Sequence, residues 1–139
     1  VDLLQAFRSA ALRGVRVKLV VPAKNNHSYA GMAGRARYET LLEAGVEIYE
    51  RPPPFMHAKA LIIDNSFALV GTANLDERSL RLNYETNLAV HDPSFAAELK
   101  RAVLAEIEQS SKIELAEWRE RPFAHRIAEN FCNLMTPIL

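Results

Sequence analysis

Cysteine is almost missing: Cys132 stands alone among 139 residues, so no intrachain disulfide can form. The fold must then rest on packing, as suits a reducing compartment. Long apolar runs are missing too. No stretch approaches the roughly 20 residues that a spanning helix needs, and no secretory signal pattern is present, so the chain reads as soluble or peripheral. Neither sign of charge is in excess, because 17 Lys and Arg balance 17 Asp and Glu. A global field that would gather nucleic acid or anionic lipid is thereby excluded, and any anion site must be local. His27, His91 and His125 show no ligand spacing with Cys132 or with acidic residues, so no metal site and no cofactor are expected. Internal repeats, low-complexity tracts and domain linkers are also lacking.

What is present is a chain with 49% apolar and 24% charged residues, enough for one globular domain over residues 1–139 with a real core. Its first residues, VDLLQAFRSAALRG, already carry a helical stripe of Leu3, Leu4, Phe7, Ala10 and Ala11 ended by Gly14, so the chain is expected to open inside an architecture, as a fragment would. VRVKLVVP then reads as a strand apolar enough to be covered on both faces, stopped by Pro22. A helix over about residues 29–44, with Met32, Tyr38, Leu41 and Leu42 facing inward, precedes Gly45 and a short strand, VEIYE. Strands separated by helices of this length favour parallel pairing. The expected class is therefore α/β, with a mixed, mostly parallel sheet flanked by helices.

Residues 58–63 and 67–70 are β-prone runs around Asp64, Asn65 and Ser66, the pattern of a tight antiparallel hairpin, and ETNLAV at 85–90 adds another strand. From Pro93 to residue 139 the pattern turns helical, marked first by Phe95, Leu99, Val103, Leu104 and Ile107. One or two further helices follow between Glu114 and Leu134, broken near Pro122. Phe123, Ile127, Phe131, Leu134 and Ile138 form an apolar stripe flanked by Arg119, Arg121 and Arg126; it fits core or interdomain packing, or a helix lying on a membrane surface.

The chemistry concentrates in HAKALIIDNSFALVGTAN, residues 57–74. Strand side chains alternate, so His57 and Lys59 share a face. A turn centred near residue 65 sets Lys59 opposite about residue 71 and brings Thr72 and Asn74 beside the pair. An imidazole, an ammonium, a hydroxyl and a carboxamide on one patch can attack, protonate and hold a phosphodiester. Asp64 has the opposite parity and sits in the turn, where a carboxylate shapes the backbone. Glu85 is the expected carboxylate partner of His57, fixing its tautomer. Asp76, Glu77, Arg78 and Ser79 are expected to hold the turn after GTAN by local hydrogen bonds. Asn25, Asn26 and His27 read as a solvated loop.

HxKxxxxD, filled by His57, Lys59 and Asp64 and followed by GTAN at 71–74, resembles the HKD motif of the phospholipase D superfamily. With LLEAG, DPSFAAEL and EWRERP in order, the chain is most similar to the C-terminal catalytic half of bacterial cardiolipin synthases, over essentially its whole length. The resemblance implies a phosphohistidine mechanism in which one histidine attacks phosphorus and a second motif's histidine protonates the leaving alcohol. It implies that Lys59, Thr72 and Asn74 bind phosphate, that Glu85 lies behind the histidine, and that Asp64 belongs to the motif as scaffold.

The activity so implied is phosphatidyl transfer between two phosphatidylglycerol molecules with release of glycerol, on the bacterial cytoplasmic membrane, with no nucleic acid partner. Because only one motif is present, the chain is expected to need a missing N-terminal half or a second copy of itself, and to be inactive alone. Two other readings stand beside this one: a homodimeric single-motif phosphodiesterase or nuclease, and a catalytically silent interaction half-domain.

Overall fold

The computed structural model describes residues 3–24, 28–54, 57–74, 79 and 83–134, apart from the side chains of 28–31, 133 and 134. The expectations for Asn25, Asn26, His27, Asp76, Glu77, Arg78 and Ile138 lie outside the described residues. The chain divides into two compact units, 1–55 with 110–139 and 56–109, so that the C-terminal helical third contributes to both.

The first unit begins with α1 (Leu3–Leu12), which Gly14 ends at φ +89°, a left-handed value that favours glycine. The strand β1 (Lys18–Pro22) follows, then α2 (Ser28–Arg35), α3 (Tyr38–Glu43) and β2 (Glu47–Arg51). β1 and β2 run parallel, with Lys18 opposite Glu47 and Pro22 opposite Arg51. The two helices form the crossover that parallel neighbours require. Where the sequence predicts one helix over 29–44, the structure has two, because the chain tightens at Arg37, whose N–H bonds Gly34 O three residues back. Later in the chain β6 (Ser111–Lys112) pairs antiparallel with β2.

The core of this unit is Tyr38, Leu41, Val46, Ile48 and Trp118, with Val17, Leu19 and Val21 packed against it. These three share one parity, so β1 gives one face to the core. Leu19, Val20 and Val21 are all half-buried, so neither face is as fully covered as the composition suggests. Leu42 also packs on the core, and Met32 is half-buried.

Trp118 lies on α5 (Leu115–Arg119) between two guanidiniums, Arg121 at 3.2 Å and Arg35 at 5.6 Å from its ring centre. Each arginine also holds a buried carboxylate. Arg35 grips Glu50 on β2 with contacts of 2.7 and 3.0 Å, and Arg121 grips Glu129 at 2.7 and 2.9 Å. Glu129 belongs to α6 (Phe123–Leu134), the helix that packs along α2. Burial pushes the Tyr38 phenol far up, and the Glu50 carboxylate adds to that. On the outer side of α6, Phe123, Ile127 and Phe131 remain 74%, 52% and 65% exposed, so this stripe does not form the core of its unit.

The second unit is an antiparallel sheet of β3 (Lys59–Ile63), β4 (Phe67–Gly71) and β5 (Asn87–His91), packed by α4 (Pro93–Glu108). Asp64 and Asn65 have φ of 50° and 58°, the paired positive values of the turn that best matches strand twist. Asp and Asn tolerate them better than most residues. Asp92 caps α4, its carboxylate accepting from Phe95 N at 2.7 Å, with Pro93 at the first position. Lys100 on α4 donates to Asn65 Oδ1 at 2.5 Å and ties the helix to the turn. Ala68 and Ala96 are fully buried, which lets helix and sheet approach closely. The class is α/β with small mixed sheets flanked by helices; β1 with β2 is the parallel ladder, and β2–β6, β3–β4 and β4–β5 are antiparallel.

Candidate active site

The hairpin register is Lys59 opposite Gly71 and Ile63 opposite Phe67. Lys59 therefore begins β3 where β4 ends, and residues 72–74 continue past the sheet from that end. Gly71 also pairs with Asn87 of β5. A Cβ at position 71 would sit 2.4 Å from Thr86 O and 2.8 Å from Asn87 Cα, so the glycine is what allows β5 to come this close.

His57 and Lys59 meet. The Lys59 ammonium is 2.8 Å from His57 Nε2, 3.2 Å from Nδ1 and 3.2 Å from the His57 carbonyl oxygen. An ammonium has only donors, so a ring nitrogen that accepts from it does so with its lone pair, and with both ring nitrogens in reach the tautomer decides which one accepts. His57 is exposed and Lys59 half-buried, so an anion can reach both.

A second cluster surrounds Glu85. Thr72 Oγ1 donates to Glu85 Oε2 at 2.5 Å and accepts from Thr86 N–H at 3.0 Å, while Thr72 N–H bonds Thr86 O at 3.1 Å. Asn83 Nδ2 donates to Glu85 Oε1 at 3.4 Å. Asn74 Nδ2 in turn donates to Ser79 Oγ at 3.3 Å. The Thr72 hydroxyl above all, then Ser79, Asn83 and the Lys59 charge, hold the Glu85 carboxyl below its ordinary value despite partial desolvation. The linkage has one sign: a depressed folded value contributes stability above the unfolded value, and that is lost as pH falls through the folded one. Glu85 is thus an ionised acceptor at neutral pH.

The expected bond between Glu85 and His57 is not formed. The carboxylate sits just before β5, next to Thr86, which faces Thr72, and its two oxygens are taken by the donors there. The His57 ring faces Lys59 instead. Asp64 stands at the other end of β3, about 20 Å from His57 at roughly 3.3 Å per strand residue, and takes no part in either cluster. Ser79, expected to steady the turn, accepts from Asn74 Nδ2 and is 4% exposed. Asn83 was not singled out by the sequence. Its position two residues before a strand carboxylate is the signal that would have found it. Among the described residues no group of three or more His, Cys, Asp or Glu is placed to hold a metal ion.

Comparison with known proteins bears on this geometry. The family model described as "Cardiolipin synthase, PLD-like domain" matches residues 1–107. The chain belongs to that family. It is 42% identical to cardiolipin synthase A of Serratia proteamaculans over 138 residues, 99% of the chain and 28% of that protein. It is 37% identical to cardiolipin synthase A of Proteus mirabilis and 41% identical to that of Escherichia coli over the same coverage. The chain thus spans 28% of the length of these relatives.

Among solved structures, Nuc from Salmonella typhimurium, a phospholipase D family member, superposes with a TM-score of 0.68 at 22% identity. NucT from Helicobacter pylori gives 0.62 at 20% identity, and each comparison covers 81% of this chain and 74% of the other. At these identities the likeness establishes the fold. His57, Lys59, Asp64 and GTAN lie within the residues the family model matches.

Proposed function

We propose that this chain is a catalytic segment of a phospholipase D-type phosphatidyltransferase that makes cardiolipin from two phosphatidylglycerol molecules. The observation that carries the reading is the His57–Lys59 pair, an imidazole ring nitrogen held 2.8 Å from an ammonium at an open strand end. A phosphodiester entering there takes the ammonium as counterion and leaves the imidazole facing phosphorus. One imidazole of a two-histidine site forms a P–N bond as the P–O bond to glycerol breaks, and the other gives its proton to the departing alkoxide. The hydroxyl of a second phosphatidylglycerol then forms a P–O bond to the same phosphorus, its proton returning to the acid–base histidine, and the P–N bond breaks. One diester replaces another, so no nucleotide is consumed. Lys59 and Asn74 supply donors for the nonbridging oxygens as charge builds, while the Thr72 hydroxyl, expected beside them, gives its hydrogen to Glu85.

The second imidazole comes from an N-terminal half of a longer protein or from a second copy of this chain. The lipid substrate places the reaction at a membrane surface, the cytoplasmic membrane of a bacterium. Among the described residues no helix is long and apolar enough to cross a membrane.

The test uses the longer protein with labelled phosphatidylglycerol in vesicles. Labelled cardiolipin and glycerol, an acid-labile phosphoenzyme and loss of both with His57→Ala are the expected results. Preferential cleavage of labelled nucleic acid would replace this reading with that of a phosphodiesterase or nuclease. Inactivity toward both would leave the silent half-domain.

A further inference from the structure

We infer that the outward face of α6 is a docking surface for a phospholipid bilayer, with Phe123, Ile127 and Phe131 entering the headgroup and acyl boundary and Arg126 meeting lipid phosphate. The inference deepens the proposed function, on which it rests for the identity of the lipid.

α6 is built the wrong way round for a helix that serves only its own core. Phe123, Ile127 and Phe131 recur every fourth residue, so at about 100° per residue they fall within one arc of about 80°. Glu129 lies about 200° around the axis from Ile127. That far side is the one the protein buries, with Glu129 5% exposed and gripped by Arg121. The helix thus gives its carboxylate to the protein and its two aromatic rings to solvent.

Area and charge together decide what fits this face. The three side chains leave about 400 Å² of apolar surface open, taking roughly 200 Å² for each and their exposures of 74%, 52% and 65%. A contiguous patch of that size marks an interaction site. It is only half of the roughly 800 Å² that each partner gives to a stable protein interface. Adsorption to a bilayer has no such threshold, because its strength scales with the apolar area that enters.

Charge points the same way. Glu129, the one carboxylate of α6, is neutralised by Arg121 at 2.7 Å. Besides the His125 imidazole, the ionisable group that α6 shows to solvent is then the Arg126 guanidinium, its side chain 43% exposed. Arg126 lies about 60° from Phe123, along the edge of the apolar ridge. It reaches Glu39 at 3.8 Å, while Arg119 holds the same carboxylate at 3.0 Å, so Arg126 can turn to a phosphate and leave Glu39 paired. An apolar ridge edged by a cation is the make-up of a helix that lies in the plane of an anionic lipid surface.

The test places a dye on the ridge. Ile127→Cys and His125→Cys, each the sole cysteine of the longer protein after Cys132→Ser, are labelled with nitrobenzoxadiazole and mixed with vesicles of phosphatidylglycerol and phosphatidylcholine. Position 125 is exposed on the same helix, about 160° away from Ile127. Bromine on the acyl chains should quench the dye at 127 at least about threefold more than at 125, since a docked apolar face sinks about 5–10 Å into the boundary. Quenching of position 127 by aqueous iodide as strong as at 125 would put the ridge in solvent. Shielding of 127 from both quenchers would put it under protein, and either result overturns the inference. Phe123→Cys is the second reporter should Ile127→Cys fail to fold. The measurement needs no turnover, so lipid quenching in a protein that makes no cardiolipin would remove the proposed function and leave the docking surface standing.

Discussion

Replacing Gly71 by alanine tests how the site is held together. The Cβ would lie 2.4 Å from Thr86 O and 2.8 Å from Asn87 Cα, both backbone atoms, and 2.1 Å from Asn87 Oδ1, which can swing away. Ordinary contact needs about 3.5 Å, so β5 must withdraw by roughly 1 Å. The bond from Thr72 N–H to Thr86 O, 3.1 Å long, then passes beyond hydrogen-bond range. Overpacking costs about 1–3 kcal/mol and the lost bond about 1 kcal/mol. Reduced freedom of the unfolded chain returns about 0.4–1 kcal/mol. The net loss is about 2–3 kcal/mol, read as a fall in Tm of about 2–3 °C by calorimetry of the longer protein. Turnover should fall further, by about 100-fold, since a displacement of 1 Å at a reacting site has that effect. An alanine variant as stable as the wild type or more so, with full turnover, would refute the close-approach reasoning, because only the unfolded-state effect would remain.

Further outcomes follow from other parts of the structure. Arg121→Leu should destabilise by about 3–5 kcal/mol, since it leaves the buried Glu129 carboxylate without its partner. Pairing it with Glu129→Met should recover most of that loss in chemical denaturation. Asp64→Val should cost about 1–2 kcal/mol, because a β-branched residue resists the left-handed backbone that φ of 50° demands. Asp64→Asn should unfold within about 0.5 kcal/mol of the wild type, since Asn also tolerates that region; a large loss of stability in this variant would show that the carboxylate itself holds the turn.

The hairpin was legible because turn chemistry and strand period act over a few residues. Asp64 and Asn65 fix the bend, and ladder counting then places Lys59 against Gly71. The caps and breaks near Gly14, Pro93 and Pro122 were legible for the same local reason. The partner of Glu85 was not. Position 85 is 28 residues from His57 in sequence, and its neighbours depend on where β5 docks, a matter settled by the missing side chain at Gly71. Parity correctly marked His57 and Lys59 as companions but carries no information about a residue on another strand. The helix expected over 29–44 was broken by a local tightening that Gly31 and Gly34 made easy and that the apolar stripe concealed. Composition made β1 read as doubly covered, yet the positions that reach the core, Val17, Leu19 and Val21, share one side.

Trp118 is the only tryptophan of the 139 residues, and it lies in the unit that lacks His57, Lys59 and Glu85. Its buried indole, stacked on one guanidinium and near another, gives this segment a built-in optical gauge of packing around β2 and α5. Substitutions in the hairpin can therefore be screened in this segment for damage to the other unit by emission alone. A variant that loses chemistry while its indole spectrum stays unchanged has lost it locally.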